Sequence, residues 1–171
     1  NEMSTAVFTK LGWKALGGVN RYQKILFPGN ALNEIAKFAP LRQLINLGYA
    51  PFRPRLGPEG SKFRVRSIKE FGPEFDHFWK RASKQWPCAV VRGPEYLRWQ
   101  FLRQPGKRFD ILGLYEEEKL RGYVVLFVRK ARIDGTIPKA AISDICYDSE
   151  DSESIVNALL GAALRLAIDR E

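Results

Sequence analysis

The chain is 171 residues long, 45% hydrophobic and 12% aromatic, which is enough to bury a globular core and too apolar for a disordered tail. Its net charge of +9 is unevenly carried: 19 Lys and Arg stand against 7 Asp and Glu over residues 1–107, and 9 against 12 over residues 108–171. Two cysteines in unrelated contexts, Cys88 and Cys146, and a single histidine, His77, exclude a Cys/His zinc site and favour a reducing, cytoplasmic setting.

The first predicted element is a short helix in "STAVFTKLGW", with Ser4 as its cap, Gly12 as its stop and Ala6, Val7 and Leu11 near one face. "WKALGGVNRYQKIL" then reads as one or two strands turning at Gly17-Gly18. Residues 28–62 hold five prolines and no sustained alternation, so they read as a linker with one or two short helices. From Phe63 the pattern tightens. "FRVRSIKE" alternates as a strand does, and "GPEFDHFWKRASKQ" has helical spacing, with Phe75, Phe78 and Trp79 on one side and Pro73 in the first turn. A second helix, "GPEYLRWQFLRQPG", turns Tyr96, Leu97, Phe101 and Trp99 inward and ends at Pro105-Gly106. Three antiparallel strands follow, "RFDILGLYE", "LRGYVVLFVRK" and "KAAISDICYD", joined by "EEEK" and "ARIDGTIP". The last helix, residues 151–170, carries Ile155, Leu159, Ala162 and Leu166 on one line, with Val156, Leu160, Ala163 and Ala167 beside it. The expected class is α+β, or mixed α/β: a mainly antiparallel sheet flanked by helices.

Tyr96, Leu97, Trp99, Phe101, Pro105, Gly122 and Tyr123, in this element order, resemble a branch of the GNAT N-acyltransferase superfamily across residues 63–170. The opening, Asn1, Ser4, Phe8, Gly12 and Trp13, is similar in spacing to a late helix and strand of the same superfamily. The resemblance implies a tandem arrangement: residues 1–27 as the tail of a preceding GNAT-like domain, 28–62 as linker, and 63–171 as a second such domain, incomplete at its C-terminus. Residues 1–26 supplying the closing strands of a permuted single domain is the alternative. The missing Met at position 1 fits a piece of a longer protein.

The activity that the resemblance implies is transfer of an acyl group from acetyl-CoA, or another acyl-CoA, to a small-molecule or peptide amine. Its fourth strand would carry the pantetheine arm and its third helix the pyrophosphate, held on backbone N–H groups at the helix start. Laid on that pattern, Ile145, Cys146, Tyr147, Ser149, Asp151 and Ser152 fall at cofactor-binding positions and Asp144 where some members carry an acidic base. Tyr96 and Arg98 fall at the acceptor cleft. The loop departs from the pattern: it has no glycine and no Arg or Gln, and it brings Glu150, Asp151 and Glu153 to the phosphate position. Phe8 has no hydroxyl where the opening's match puts the proton-donating tyrosine.

Read from the residues alone, Asp148, Asp151 or Ser152 caps the last helix, with its neighbouring acids satisfying the positive end. Asp144 is a strand-edge surface carboxylate, Cys146 a buried small hydrophobe, and His77 and Tyr96 are structural. A non-catalytic GNAT-like binding or scaffold module, its basic first half recruiting an acidic partner, is therefore the rival function. Nucleic-acid binding ranks third, because the aromatics fall at core spacing and no stacking motif is present. No membrane span is expected, since no apolar run approaches the ~20 residues required.

Overall fold

Alternation in "FRVRS" and in the three later apolar runs builds a four-stranded antiparallel sheet, strand order β1-β2-β3-β4. The structure is a computed structural model that describes residues 2–14, 22–28, 39–52, 62–129 and 139–170. The strands are β1 Phe63–Ser67, β2 Phe109–Glu116, β3 Lys119–Arg129 and β4 Lys139–Tyr147. The helices are α1 Glu2–Lys10, α2 Ala39–Tyr49, α3 Glu74–Ala82, α4 Pro94–Leu97 and α5 Ser152–Asp169. The architecture is α+β, as the element order predicts. Gly17-Gly18 and the connection "ARIDGTIP" lie outside the described residues, and the described parts of residues 13–26 form no strand.

Both faces of the sheet are covered, so the apolar runs of β2 and β3 are nearly continuous. On one face Ile111, Tyr115, Leu120, Tyr123, Val125 and Cys146 meet Phe71, Phe75 and Phe78, together with Leu97 and Phe101. On the other, Leu112, Leu114, Val124 and Leu126 meet Ile155, Leu159 and the small residues Ala158, Ala162 and Ala163 of α5. These small side chains let α5 lie close to the sheet. A Cβ at Gly122 would stand 3.0 Å from the Cys146 carbonyl oxygen and 3.0 Å from Leu159 Cδ1, so only glycine fits beneath the helix without displacing it.

Two irregularities interrupt the pairing. In β3, Arg121 is the extra residue where Leu114 pairs with Gly122 but Tyr115 pairs with Leu120. In β4, Ser143 is the extra residue, because Asp144 pairs with Val125 and Ile142 with Leu126. The second bulge lies on the outer strand, and beyond it the pairing is regular, so Asp144 and Cys146 share the face of Tyr123.

Trp99 departs from expectation: it is 62% exposed. It follows Leu97 by two positions, roughly 200° around a helix, and so faces away from the side that Leu97 and Phe101 bury. Residues Arg98–Leu102 form a wider π-helical turn rather than a continuation of α4. Gly12 ends α1 with φ +82°, as its place after the helix predicts. Val7 and Leu11, expected to share an apolar face, are exposed.

Candidate functional site

The free side of β4 borders a cleft of about 350 Å³, walled by Trp86, residues 88–90 and Arg92 on one side and by Ile145 and Tyr147 on the other. Its walls are set by an aromatic series. Trp79 stacks on Trp86 with centroids 6.2 Å apart, and Trp86 meets Tyr147 edge-on at 6.1 Å. The Arg92 guanidinium sits 5.8 Å over the Trp79 ring. In the 3-10 turn Ser83–Gln85 that follows α3, Gln85 Nε2 donates to the Tyr147 carbonyl at 2.6 Å and ties the turn to β4.

Asp144 lies behind Arg92. Its carboxylate accepts from Arg92 Nε at 3.1 and 3.3 Å, from Arg92 Nη2 at 3.3 Å, from the Tyr123 hydroxyl at 2.9 Å and from the Ile145 N–H at 3.1 Å. Its side chain is 13% exposed, so the expectation of a surface carboxylate is corrected: paired with Val125 and two residues before Cys146, it alternates onto the α3 face, where donors surround it. Burial, and then the neighbouring Asp144 charge, push the Tyr123 phenol far above its ordinary value, so it remains a donor. Exchanging Tyr123 for phenylalanine deletes a bond to a charged acceptor. The expected loss is about 1.5–3 kcal/mol in urea denaturation, and an unchanged midpoint would show that Arg92 alone satisfies the carboxylate.

The acidic junction after β4 is paired with cations, Asp148 buried and Glu150 and Asp151 at the surface. Arg121, 4% exposed, reaches Glu150 at 3.1 Å, Glu116 at 3.4 Å and Asp148 at 3.5 Å, and also donates to the Glu150 carbonyl at 3.0 Å. Arg81 approaches Asp148 from α3 at 3.5 Å, while Lys62 bridges Glu116 at 2.8 Å and Asp151 at 3.3 Å. The hydrogen bond from Lys62 holds the Glu116 carboxyl below its ordinary value. The Ser154 hydroxyl, and then Lys62, do the same for Asp151. Asp151 is the residue before α5, but it adopts a left-handed conformation, φ 58° and ψ 38°, and makes no side-chain cap to the helix backbone. The capping expectation is therefore corrected: the carboxylate is taken by Lys62 and Ser154 instead.

Of the sequence-predicted cofactor positions, Ile145 and Tyr147 line the cleft. Cys146 is fully buried on the α3 face, and burial pushes its thiol up to about 12, leaving it protonated at neutral pH. Ser149 and Asp151 are exposed at the junction, and Ser152 is half-buried there. Tyr96 and Arg98 stand apart from the cleft walls. Tyr96 packs on the core and against Trp99, and Arg98 donates to the Phe71 carbonyl, fixing the π-helical turn to the segment before α3. His77 is exposed on α3. Arg92, Trp86 and Arg121 carried no motif in the sequence. The one trace of Arg121 is that Leu120 and Tyr123, three apart, must both face inward, which requires an extra residue between them.

Among the described residues no group of His, Cys, Asp or Glu has the arrangement of a metal site, and no helix is long and apolar enough to cross a membrane. Comparison with family models, with curated proteins and with solved structures finds no match to this chain.

Proposed function

We propose that the chain is a GNAT-type acyltransferase-fold domain whose reaction class is N-acyl transfer from an acyl-CoA to an amine. The observation that carries the reading is the outer strand: β4 is a sheet edge among the described residues, is interrupted by the Ser143 bulge, and borders the cleft. A strand edge can offer backbone donors and acceptors to an extended amide chain such as pantetheine, although here Asp144 already takes the Ile145 N–H and Gln85 the Tyr147 carbonyl. The element order from β1 to α5 and the Tyr-Leu-x-Trp-x-Phe helix support the same reading.

In this reading the acceptor amine enters the cleft and attacks the thioester carbonyl. The C–N bond forms, the C–S bond breaks, the thiolate departs and the amine's proton passes to solvent at the cleft mouth. Asp144 acts as a positioning residue rather than as the base, because both its oxygens are already occupied by donors. It holds the Arg92 side chain against Trp79.

Titration calorimetry of the chain with acetyl-CoA tests this reading. Saturable binding tighter than millimolar, with thiol release when an amine is added, is the expected result; no heat at millimolar ligand would sink it.

One observation favours the second reading, a non-catalytic module of the same fold. Glu116, Asp148, Glu150 and Asp151 surround the start of α5, and Arg121, Arg81 and Lys62 are engaged with them. A pyrophosphate at that position would meet carboxylates, with the nearby cations already paired. Under the second reading acetyl-CoA does not bind, whereas the cleft still does.

A further inference from the structure

Arg92 is the charged side chain of the cleft wall, and its donors are not exhausted. A guanidinium has five N–H groups. Asp144 takes the Nε side of the fork, through Nε and Nη2, and the Val90 carbonyl accepts a long bond from Nη1 at 3.4 Å. Among the described residues this leaves one N–H on each terminal nitrogen, charged donors that suit the oxygens of a carboxylate.

Trp86, Ala89, Val90, Ile145 and the Tyr147 ring supply the apolar part of the remaining lining, beside Cys88. The cleft's volume is at the lower end of small-molecule sites. Asp144 already offsets much of the Arg92 charge, so a phosphate dianion would be disfavoured more strongly than a monoanion. The geometry points to a binding site for a small carboxylate with an aromatic or branched aliphatic body, its carboxylate on the Arg92 fork and its body between Trp86 and Ile145.

Calling that ligand the acceptor rests on the acyl-transfer reading above, and then the substrate class is an apolar α-amino acid.

Calorimetry and saturation-transfer NMR on the chain with phenylalanine, 3-phenylpropionate and phenethylamine test the assignment. The two carboxylates are expected to bind at least about tenfold more tightly than the amine that lacks one, as a charge-assisted bond provides. Arg92→Gln should erase that preference. Val90→Trp, a change at an exposed position, should abolish binding of all three while circular dichroism stays that of the wild type. Equal affinity for phenethylamine, or no binding of any of the three at millimolar concentration, overturns the assignment. Acetyl-CoA binding without carboxylate preference overturns this inference alone; carboxylate binding without acetyl-CoA binding supports it and overturns the acyl-transfer reading.

Discussion

Replacing Arg121 by methionine is expected to cost the fold about 3–5 kcal/mol, read as a lower midpoint in urea denaturation. Arg121 is 4% exposed and faces three carboxylates, of which Asp148 is equally buried. Methionine keeps the length and apolar stem but removes the charge, leaving Asp148 with Arg81 at 3.5 Å as its cation. One oxygen of Asp148 already has no hydrogen-bond partner among the described residues, so the loss cannot be absorbed locally. The paired variant decides the cause. Arg121→Met with Asp148→Leu removes both charges, and most of the lost stability should return, because an apolar pair of similar volume replaces a buried ion pair at little cost. If the double variant is as unstable as the single one, Arg121 matters for packing and not for charge.

Phe78→Ala is the second change of that size, at about 3–5 kcal/mol. Phe78 is fully buried, and its ring meets the Tyr123 ring edge-on at 5.9 Å. Phe75 also meets Tyr123, at 5.7 Å, and Phe71 packs edge-on against Phe75 at 4.8 Å, so the void is walled by interlocked rings that close poorly. Trp99→Ala removes a larger ring at a 62% exposed position and should move stability by no more than about 0.5 kcal/mol. Equal losses from the two variants would contradict the observed facing of the helix after Gly93.

The contrast between Phe78 and Trp99 shows what periodicity carries and where it stops. Phe75 and Phe78, three apart in a regular helix, are buried as their spacing predicts, and the alternation of β1 and the runs of β2 and β3 were equally legible. Trp99 was misread because the aromatic cluster looked continuous, although its position relative to Leu97 turns it outward. The bulge at Arg121 left almost no mark in the sequence, yet it sets Arg121 among the carboxylates of the junction.

The acidic junction was visible, but its partners were not. Arg121 lies 29 residues before Glu150, and Arg92 lies 52 before Asp144, distances at which no local pattern operates. The charge asymmetry of the chain was the available trace. Lys62, Arg66, Arg81 and Arg92 come from the basic half, and each pairs with an acid from the other half: Glu116, Glu118, Asp148 and Asp144. What reads along the chain as an invitation to an acidic partner is, for these four cations, answered within the fold.

The near-parallel stack of Trp79 on Trp86, with an interplanar angle of 17°, gives the molecule an optical property of its own. Trp86 forms a cleft wall, whereas Trp13 and Trp99 are 67% and 62% exposed and experience water. Two indoles this close couple their electronic transitions, so near-ultraviolet circular dichroism records their mutual orientation. A molecule entering the cleft touches one member of the pair, and the unlabelled chain reports its own occupancy.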